Sequence, residues 1–323
     1  MDVAIDFGGT TIKIGLVDAG KVVAKTRIPA FSEKGLAARL PEAVNAVREL
    51  LRGRGSSIAK CRGLGLALPG IVDADCCTLL SVPEHKYEDA VGFDFRRWAS
   101  ETFALPLAME NDARAALLGE AAYGAARGSR DAVLVMFGTG IGTAAIMNGV
   151  VVRGRHYQAG ILGGHLATDI HGQKCACGNQ GCVEAQAGHW ALPVRAAEMP
   201  GFADSEWAGR ADTLGYEDVI RAGESGEEWA RRLTDSLFEH WSAGIVNLIH
   251  AYDPEVIVLS GGLMKSADRV LHRLTSRVLA SAWTPWGAPK FAVAEDPETS
   301  VLLGLSHLLG GSAGGGGRPQ QAS

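Results

Sequence analysis

The sequence predicts a two-domain α/β protein, and three observations carry that expectation. Its 323 residues, 47% of them hydrophobic, are enough for two domains with separate cores. Strand, turn and helix patterns alternate along its length. An apolar strand running into a glycine-rich hairpin occurs twice, at Gly8-Gly9 and at Gly138-Thr139-Gly140, which points to two related domains facing each other across a cleft.

The first hairpin is Val3-Ala4-Ile5 entering Asp6-Phe7-Gly8-Gly9-Thr10-Thr11, with Ile12 to Val17 leaving: two alternating runs around a Gly-Gly turn. Val22 to Ile28 is a third strand. From about Glu42 to Arg52, Val44, Val47 and Leu51 share one helical face, and Gly53 ends it. Gly63 to Leu68 is a short buried strand that stops at Pro69-Gly70. Leu105 to Met109 is strand-like and leads through Glu110-Asn111-Asp112 into Ala113 to Glu120, a strong helix former.

In the second half, Ala132 to Phe137 runs into Gly138 to Thr143, and Ala144 to Val152 leaves as the returning strand. Leu233, Leu237, Trp241, Ile245, Leu248 and Ile249 step by three or four along a long helix from about Glu227 to Tyr252. Asp253-Pro254 then leads into the apolar strand Val256 to Leu259, which ends at Ser260-Gly261-Gly262. A last helix spans about Thr299 to Leu309, and the glycine-rich residues 311–323 are expected to be disordered. The expected division is residues 1–112 for the N-terminal domain, joined by the helix at about 299–310, and 113–298 for a larger C-terminal domain.

Composition narrows the function. Lys plus Arg number 31 against 36 Asp plus Glu, a net charge of −5, so no electrostatic footprint for nucleic acid is visible. There is no basic leader and no apolar stretch near the length of a membrane span, so a soluble cytoplasmic protein with no membrane partner is expected. Of the six cysteines, three cluster and the others are Cys61 and the adjacent Cys76-Cys77, a pattern that suits a reducing compartment better than disulfides.

That cluster is the densest chemistry in the chain: His165, then Cys175-Ala176-Cys177-Gly178-Asn179-Gln180-Gly181-Cys182, then Glu184. Three thiols and an imidazole at this range fit the tetrahedral set of a structural zinc, and Gly172, Gly178 and Gly181 supply the tight turns. Buried free cysteines beside an unrelated histidine are the plain alternative. Four protein ligands leave no open position, so the zinc in loop 165–184 is expected to shape a surface that includes Glu184 rather than to do chemistry.

Each glycine cluster, at Gly8-Gly9, Gly138-Thr139-Gly140 and Gly261-Gly262, follows an apolar strand, where bare backbone N–H groups can approach phosphate. Alone, each is equally an ordinary turn, and none matches a Walker loop. Asp6, beside the first, is either a turn aspartate or a carboxylate that holds Mg²⁺ through water. Asn111 and Asp112 open a helix; they either cap it, or Asp112 takes a proton from a hydroxyl attacking phosphorus.

The set Asp6-x-Gly8-Gly9-Thr10-x-x-Lys13, Leu68-Pro69-Gly70-Ile71-Val72-Asp73, Glu110-Asn111-Asp112-Ala113 with Gly119-Glu120, Gly138-Thr139-Gly140-Ile141-Gly142, and the Cys₃His knot with Gly181-Cys182-Val183-Glu184 resembles the ROK family of repressors, uncharacterised reading frames and sugar kinases. The resemblance runs from about Val3 to Leu309 and implies the actin-like ATPase (ribonuclease H-like) fold with an interdomain cleft. It implies an ATP- and Mg²⁺-dependent kinase acting on a sugar hydroxyl, commonly the 6-OH of a hexose or hexosamine, and a homodimer or higher homo-oligomer. Carried over, Asp112 is the catalytic base, and Asn111, Glu184, His165 and Gly70 lie at the sugar. Asp6, Gly8, Gly9, Thr10, Lys13, Gly138, Thr139 and Gly140 serve ATP and Mg²⁺, Gly261 and Gly262 lie against adenosine, and His165, Cys175, Cys177 and Cys182 bind zinc.

One departure stands out. Sugar kinases of the family usually carry Ala-Gly-Glu-x-Gly-His, whose Glu accepts from sugar hydroxyls, whereas this chain reads Ala159-Gly160-Ile161-Leu162-Gly163-Gly164-His165. Losing that charged acceptor costs roughly 1.5–3 kcal/mol, one to two decades in binding. Either the sugar differs at the matching carbon, or the inserted glycine lets another residue reach the same place. Two rivals follow: a sugar-responsive repressor, disfavoured because Asp6 stands nearly first in the sequence and leaves no room for a DNA-binding domain, and a catalytically silent sugar-binding regulator, disfavoured by the retained Asp6 and Asp112.

Overall fold

The Gly8-Gly9 turn closes the hairpin its flanks require. β1 (Asp2–Phe7) is buried throughout and pairs antiparallel with β2 (Thr11–Asp18), Phe7 opposite Ile12. β3 (Lys21–Pro29) extends the meander with alternating exposure, as a half-solvated edge strand should. α1 (Leu40–Gly53), with Pro41 in its first turn, buries Ala43, Val44, Val47 and Leu51. β4 (Leu64–Leu68) is buried at every residue and runs parallel to β1. A small hairpin, β5 (Ile71–Asp73) with β6 (Thr78–Ser81), and α2 (Phe95–Phe103), capped by the Asp94 carboxylate, precede β7 (Leu107–Asn111), which lies parallel to β4 and feeds α3 (Asp112–Tyr123). The sheet order is β3-β2-β1-β4-β7.

The second half repeats this plan. β8 (Ala132–Phe137) pairs antiparallel with β9 (Ile141–Met147), and β10 (Val150–Val151) returns against β9. The single returning strand expected over Ala144 to Val152 is therefore two strands. Asn148 and Gly149 break it, with φ of 53° and 78°, in the two-residue turn that Asn-Gly favours. Short helices α4 (Val183–Ala187), α5 (Leu192–Ala197) and α6 (Tyr216–Glu224) lead to the long α7 (Glu228–Tyr252). β11 (Val256–Gly261), α8 (Ala267–Ser281) and β12 (Lys290–Val293) complete a sheet of order β10-β9-β8-β11-β12, the same sequence of pairings as the first. Leu233, Leu237, Trp241, Ile245, Leu248 and Ile249 of α7 are all buried in its core.

The final helix, α9 (Pro297–Gly311), belongs to the first unit. The described residues thus divide into Met1–Tyr123 with Glu298–Gly311, and Gly124–Pro297. The division falls after Tyr123 rather than after Asp112 because α3 and α9 pack backbone to backbone. A Cβ on Gly119 would sit 2.0 Å from the Ser300 carbonyl, and one on Gly304 would sit 1.8 Å from that of Ala115. Leu302 and Leu305 of α9 are buried, each contributing about 1.5–3 kcal/mol. The structure, a computed structural model, describes residues 1–311; the helix includes Gly310 and Gly311, and the rest of the expected disordered tail lies outside the described residues. No helix among the described residues is long and apolar enough to cross a membrane.

Candidate active site

In the first unit, parallel register gathers the carboxyl ends of three strands. Asp6 of β1 lies beside Ala67 of β4, and Leu68 of β4 beside Asn111 of β7, so Asp6, Gly70, Asn111 and Asp112 collect at one end of the sheet, where open α/β sheets place their ligands. Asn111 is the N-cap of α3: its side-chain oxygen accepts from the N–H of Ala113 at 3.0 Å and of Arg114 at 3.2 Å. Its amide nitrogen donates to the Gly70 carbonyl and to Asp112 Oδ1, both at 3.0 Å. Behind it, the fully buried Glu110 of β7 and Arg114 of α3 pair at 3.4 Å across the strand–helix junction, and Glu110 also accepts the Asn111 N–H.

Asp112 Oδ1 accepts twice, from Asn111 and from the Ala113 N–H at 2.9 Å, which leaves Oδ2 for a ligand. Burial pushes its pKa up to about 6, assisted by the negative charge of Asp6 and opposed by the Ala113 hydrogen bond, Lys86 and Lys13. Asp6 is likewise raised by burial against the pull of Lys13, which meets Asp6 Oδ2 at 3.4 Å. Asp6 Oδ1 is buried with no hydrogen-bond partner. An orphaned carboxylate oxygen beside a glycine turn fits a water-held Mg²⁺, which would satisfy it.

The turn itself is braced from behind. Tyr87 Oη donates to the Gly8 carbonyl at 3.0 Å and Ser32 Oγ to that of Gly9 at 2.9 Å. With those carbonyls tied down, what the turn can offer an anion is its N–H groups. Lys86 lies over it: a Cβ on Gly9 would be 3.0 Å from Lys86 Cε. Lys86, Tyr87 and Ser32 were not among the residues that the sequence motifs point to, and no local pattern marks them.

In the second unit, Gly138-Thr139-Gly140 closes the β8–β9 hairpin, Gly138 N–H donating to the Gly140 carbonyl at 3.0 Å. Gly261 pairs in register with Phe137, so the two glycine turns emerge from neighbouring strand ends. Gly261 has φ of 91°, and a Cβ there would lie 2.3 Å from the Phe137 carbonyl, so only glycine fits. Glu184, at the start of α4, braces the hairpin: Oε2 accepts the Ile141 N–H at 2.7 Å and Oε1 the Trp190 indole N–H at 3.2 Å. Trp190 is a partner that the motifs did not suggest.

His165, Cys175, Cys177 and Cys182 converge as their spacing requires, their ligand atoms all within 4.8 Å of one another. Cys175 Sγ is 3.5 Å from His165 Nδ1 and Cys177 Sγ is 3.7 Å from Cys182 Sγ. Zinc–sulfur bonds of about 2.3 Å in a tetrahedron give sulfur–sulfur edges of about 3.8 Å, so this donor set fits zinc. Leu162, 41% exposed, precedes the short turn Gly163–His165 that carries the histidine. That turn is seated on β9 because Gly163 N–H donates to Thr143 Oγ1 at 2.8 Å, and a Cβ on Gly164 would strike the Ile141 carbonyl at 2.1 Å.

The model of the ROK family matches residues 2–310. The chain belongs to the ROK family. It is 31% identical over 314 residues to a glucokinase of Halalkalibacterium halodurans, covering 96% of this chain and 93% of that one. Among solved ROK structures, the glucokinase of Streptomyces griseus in complex with glucose and AMPPNP is similar with a TM-score of 0.76 and 26% identity over 95% of this chain and 98% of that one. The family's regulators are also similar: the xylose repressor of Bacillus subtilis is 26% identical over 248 residues, which cover 76% of this chain but 60% of the repressor.

Proposed function

We propose that this ROK chain is an ATP-dependent kinase that transfers the γ-phosphoryl group to a hydroxyl, the 6-OH, of a hexose or hexose derivative, with Asp112 as general base. The observation that carries the reading is Asp112 Oδ2: a carboxylate oxygen left open by its neighbours, next to a glycine turn suited to phosphate, on a group titrating near 6. A base works best with a pKa close to the working pH, ionised yet able to hold a proton. The similarity to glucokinases, one of them solved with glucose and an ATP analogue, supports the substrate classes.

In this reading the sugar hydroxyl gives its proton to Asp112 Oδ2 as its oxygen attacks the γ-phosphorus, the bond to the bridging oxygen breaks, and ADP leaves. Asn111, locked by Gly70 and by the helix N–H groups it caps, holds Asp112 in one orientation, with Asp112 Oδ2 left for the sugar hydroxyl. The turns at Gly8-Gly9-Thr10 and Gly138-Thr139-Gly140 hold phosphates, and Gly261-Gly262 lies against adenosine. Asp6 would hold, through water, Mg²⁺, which neutralises phosphate charge when bound, and Lys13, paired with Asp6, would face the phosphates. Zinc on His165, Cys175, Cys177 and Cys182 would fix the loop that carries Glu184. Because Leu162 stands where the family's usual glutamate is expected, the reading favours a sugar that differs from glucose at the matching carbon, by deoxygenation, acylation or epimerisation.

The test is an ADP-release screen over hexoses, hexosamines, N-acylated and deoxy-sugars with ATP and Mg²⁺. Turnover with at least one of them is expected; binding of a sugar without turnover would replace the kinase reading with that of a silent regulator.

A further inference from the structure

The two lysines beside the Gly8-Gly9 turn are held differently. Asp6 has Lys13, while Lys86 has no ion pair among the described residues. Lys86 is nevertheless held in place. A Cβ on Gly9 would lie 3.0 Å from its Cε, 3.2 Å from its Nζ and 3.5 Å from its Cδ, so the ammonium is laid directly along the turn. The segment that carries it is strained on both sides: His85 and Tyr87 have φ of 62° and 50°, in the left-handed region that non-glycine residues avoid. Such residues cost of order 1 kcal/mol each and persist only where the surroundings over-determine them.

Here the surroundings do so. The Tyr87 ring is fully buried against Phe7 with centroids 5.9 Å apart, its hydroxyl donates to the Gly8 carbonyl, and its N–H donates to the Ser32 carbonyl at 2.9 Å. The His85 N–H is held by Glu88 Oε1 at 2.8 Å. Lys86 is thus fixed between two anchored neighbours, half-buried and close enough to Asp112 to act on its charge. A positioned cation at the mouth of an N–H-lined turn, with no ion pair of its own among the described residues, suits a ligand that brings its own negative charge.

We propose that Lys86 is a phosphoryl-binding residue of this enzyme, its ammonium meeting the terminal phosphoryl oxygens of a nucleoside triphosphate cradled by the Gly8-Gly9-Thr10 turn. The inference rests on the kinase reading and adds a residue to it. In the transfer, Lys86 neither gives nor takes a proton; it stabilises the charge on the equatorial phosphoryl oxygens while the oxygen–phosphorus bond to the sugar forms and that to ADP breaks.

The test compares wild type, Lys86→Met and Lys86→Arg. Calorimetry gives Kd for the Mg²⁺ complexes of AMPPNP and ADP, and steady-state kinetics use the best sugar from the screen. Lys86→Met should weaken AMPPNP about tenfold or more, leave ADP within about twofold, and lower kcat about 10²-fold with little change in sugar KM, while Lys86→Arg should retain most of both. Equal losses for AMPPNP and ADP, or none for either, would overturn the proposal and leave the kinase reading standing. A raised sugar KM with unchanged kcat would also overturn it, assigning Lys86 to an anionic sugar instead. Wild type that binds neither nucleotide would remove the kinase reading itself.

Discussion

Replacing Asp112 with asparagine should make the protein more stable and nearly inactive at the same time. Its pKa is raised from 3.8 to about 6, chiefly by burial. At about 1.36 kcal/mol per pK unit, holding the carboxylate ionised costs roughly 3 kcal/mol, which partial exposure reduces to about 1–2 kcal/mol. The sign follows from the folded state holding its proton more tightly than the unfolded one. The cost is absent below the unfolded pKa near 3.8, grows as pH rises to about 6, and is complete above that. Asparagine keeps the acceptor for Asn111 and Ala113 and carries no charge. Asp112→Asn should therefore raise Tm by about 2–8 °C at pH 8 and have little effect at pH 4. Its kcat should fall about 10²–10⁴-fold, and wild-type kcat/KM should fall about tenfold per pH unit below about 6. Calorimetry at the two pH values and an ADP-release assay check both halves. Near-normal turnover, or an inactive variant whose gain in Tm over wild type is no larger at pH 8 than at pH 4, would refute the reasoning.

Purified protein should hold about one zinc per chain, and Cys177→Ser should release it and loosen the loop around Glu184, because metal binding and folding of such loops are coupled; metal analysis of a fully active preparation without zinc would contradict this. Leu162→Glu should weaken the native sugar and improve an ordinary hexose such as glucose, since a carboxylate covered by the bound sugar gains or lacks a partner according to the hydroxyl it meets; kcat/KM for both sugars reads the exchange. Gly261→Ala should destabilise the second unit by about 2 kcal/mol or more, because φ of 91° and the Phe137 carbonyl at 2.3 Å both exclude a methyl group; a denaturant midpoint like that of wild type would show the turn relaxes.

The features that could be read in the sequence are those set by local chain chemistry. The glycine hairpins announce themselves by alternation around a turn, the Cys₃His knot by ligand spacing, and the Asn111 cap by its place before a helix-forming run. Asn148-Gly149 carried an equally local signal, yet the apolar run on either side of it reads as one strand. Lys86, Tyr87 and Ser32 gave no such sign, because their meaning lies in contacts made across the fold: Ser32 reaches Gly9 over 23 residues and Tyr87 reaches Gly8 over 79. Trp190 is only six residues from Glu184, but what pairs them is the bend of the chain through Gly188, which no periodicity encodes.

The return of α9 to the first unit also governs how the protein can be made. Ser306 Oγ donates to Asp2 Oδ2 at 2.6 Å, a Cβ on Gly65 would touch Leu305, and one on Gly15 would touch Leu302, so the last helix covers a sheet begun at the second residue. The stretch Gly124–Pro297, 297 − 124 + 1 = 174 residues, is synthesised in between. At about 5–20 residues per second, the first sheet waits roughly 10–35 s on the ribosome with that face uncovered. The second unit, continuous in sequence, can fold during the wait, so the half that starts the chain is the half that finishes last.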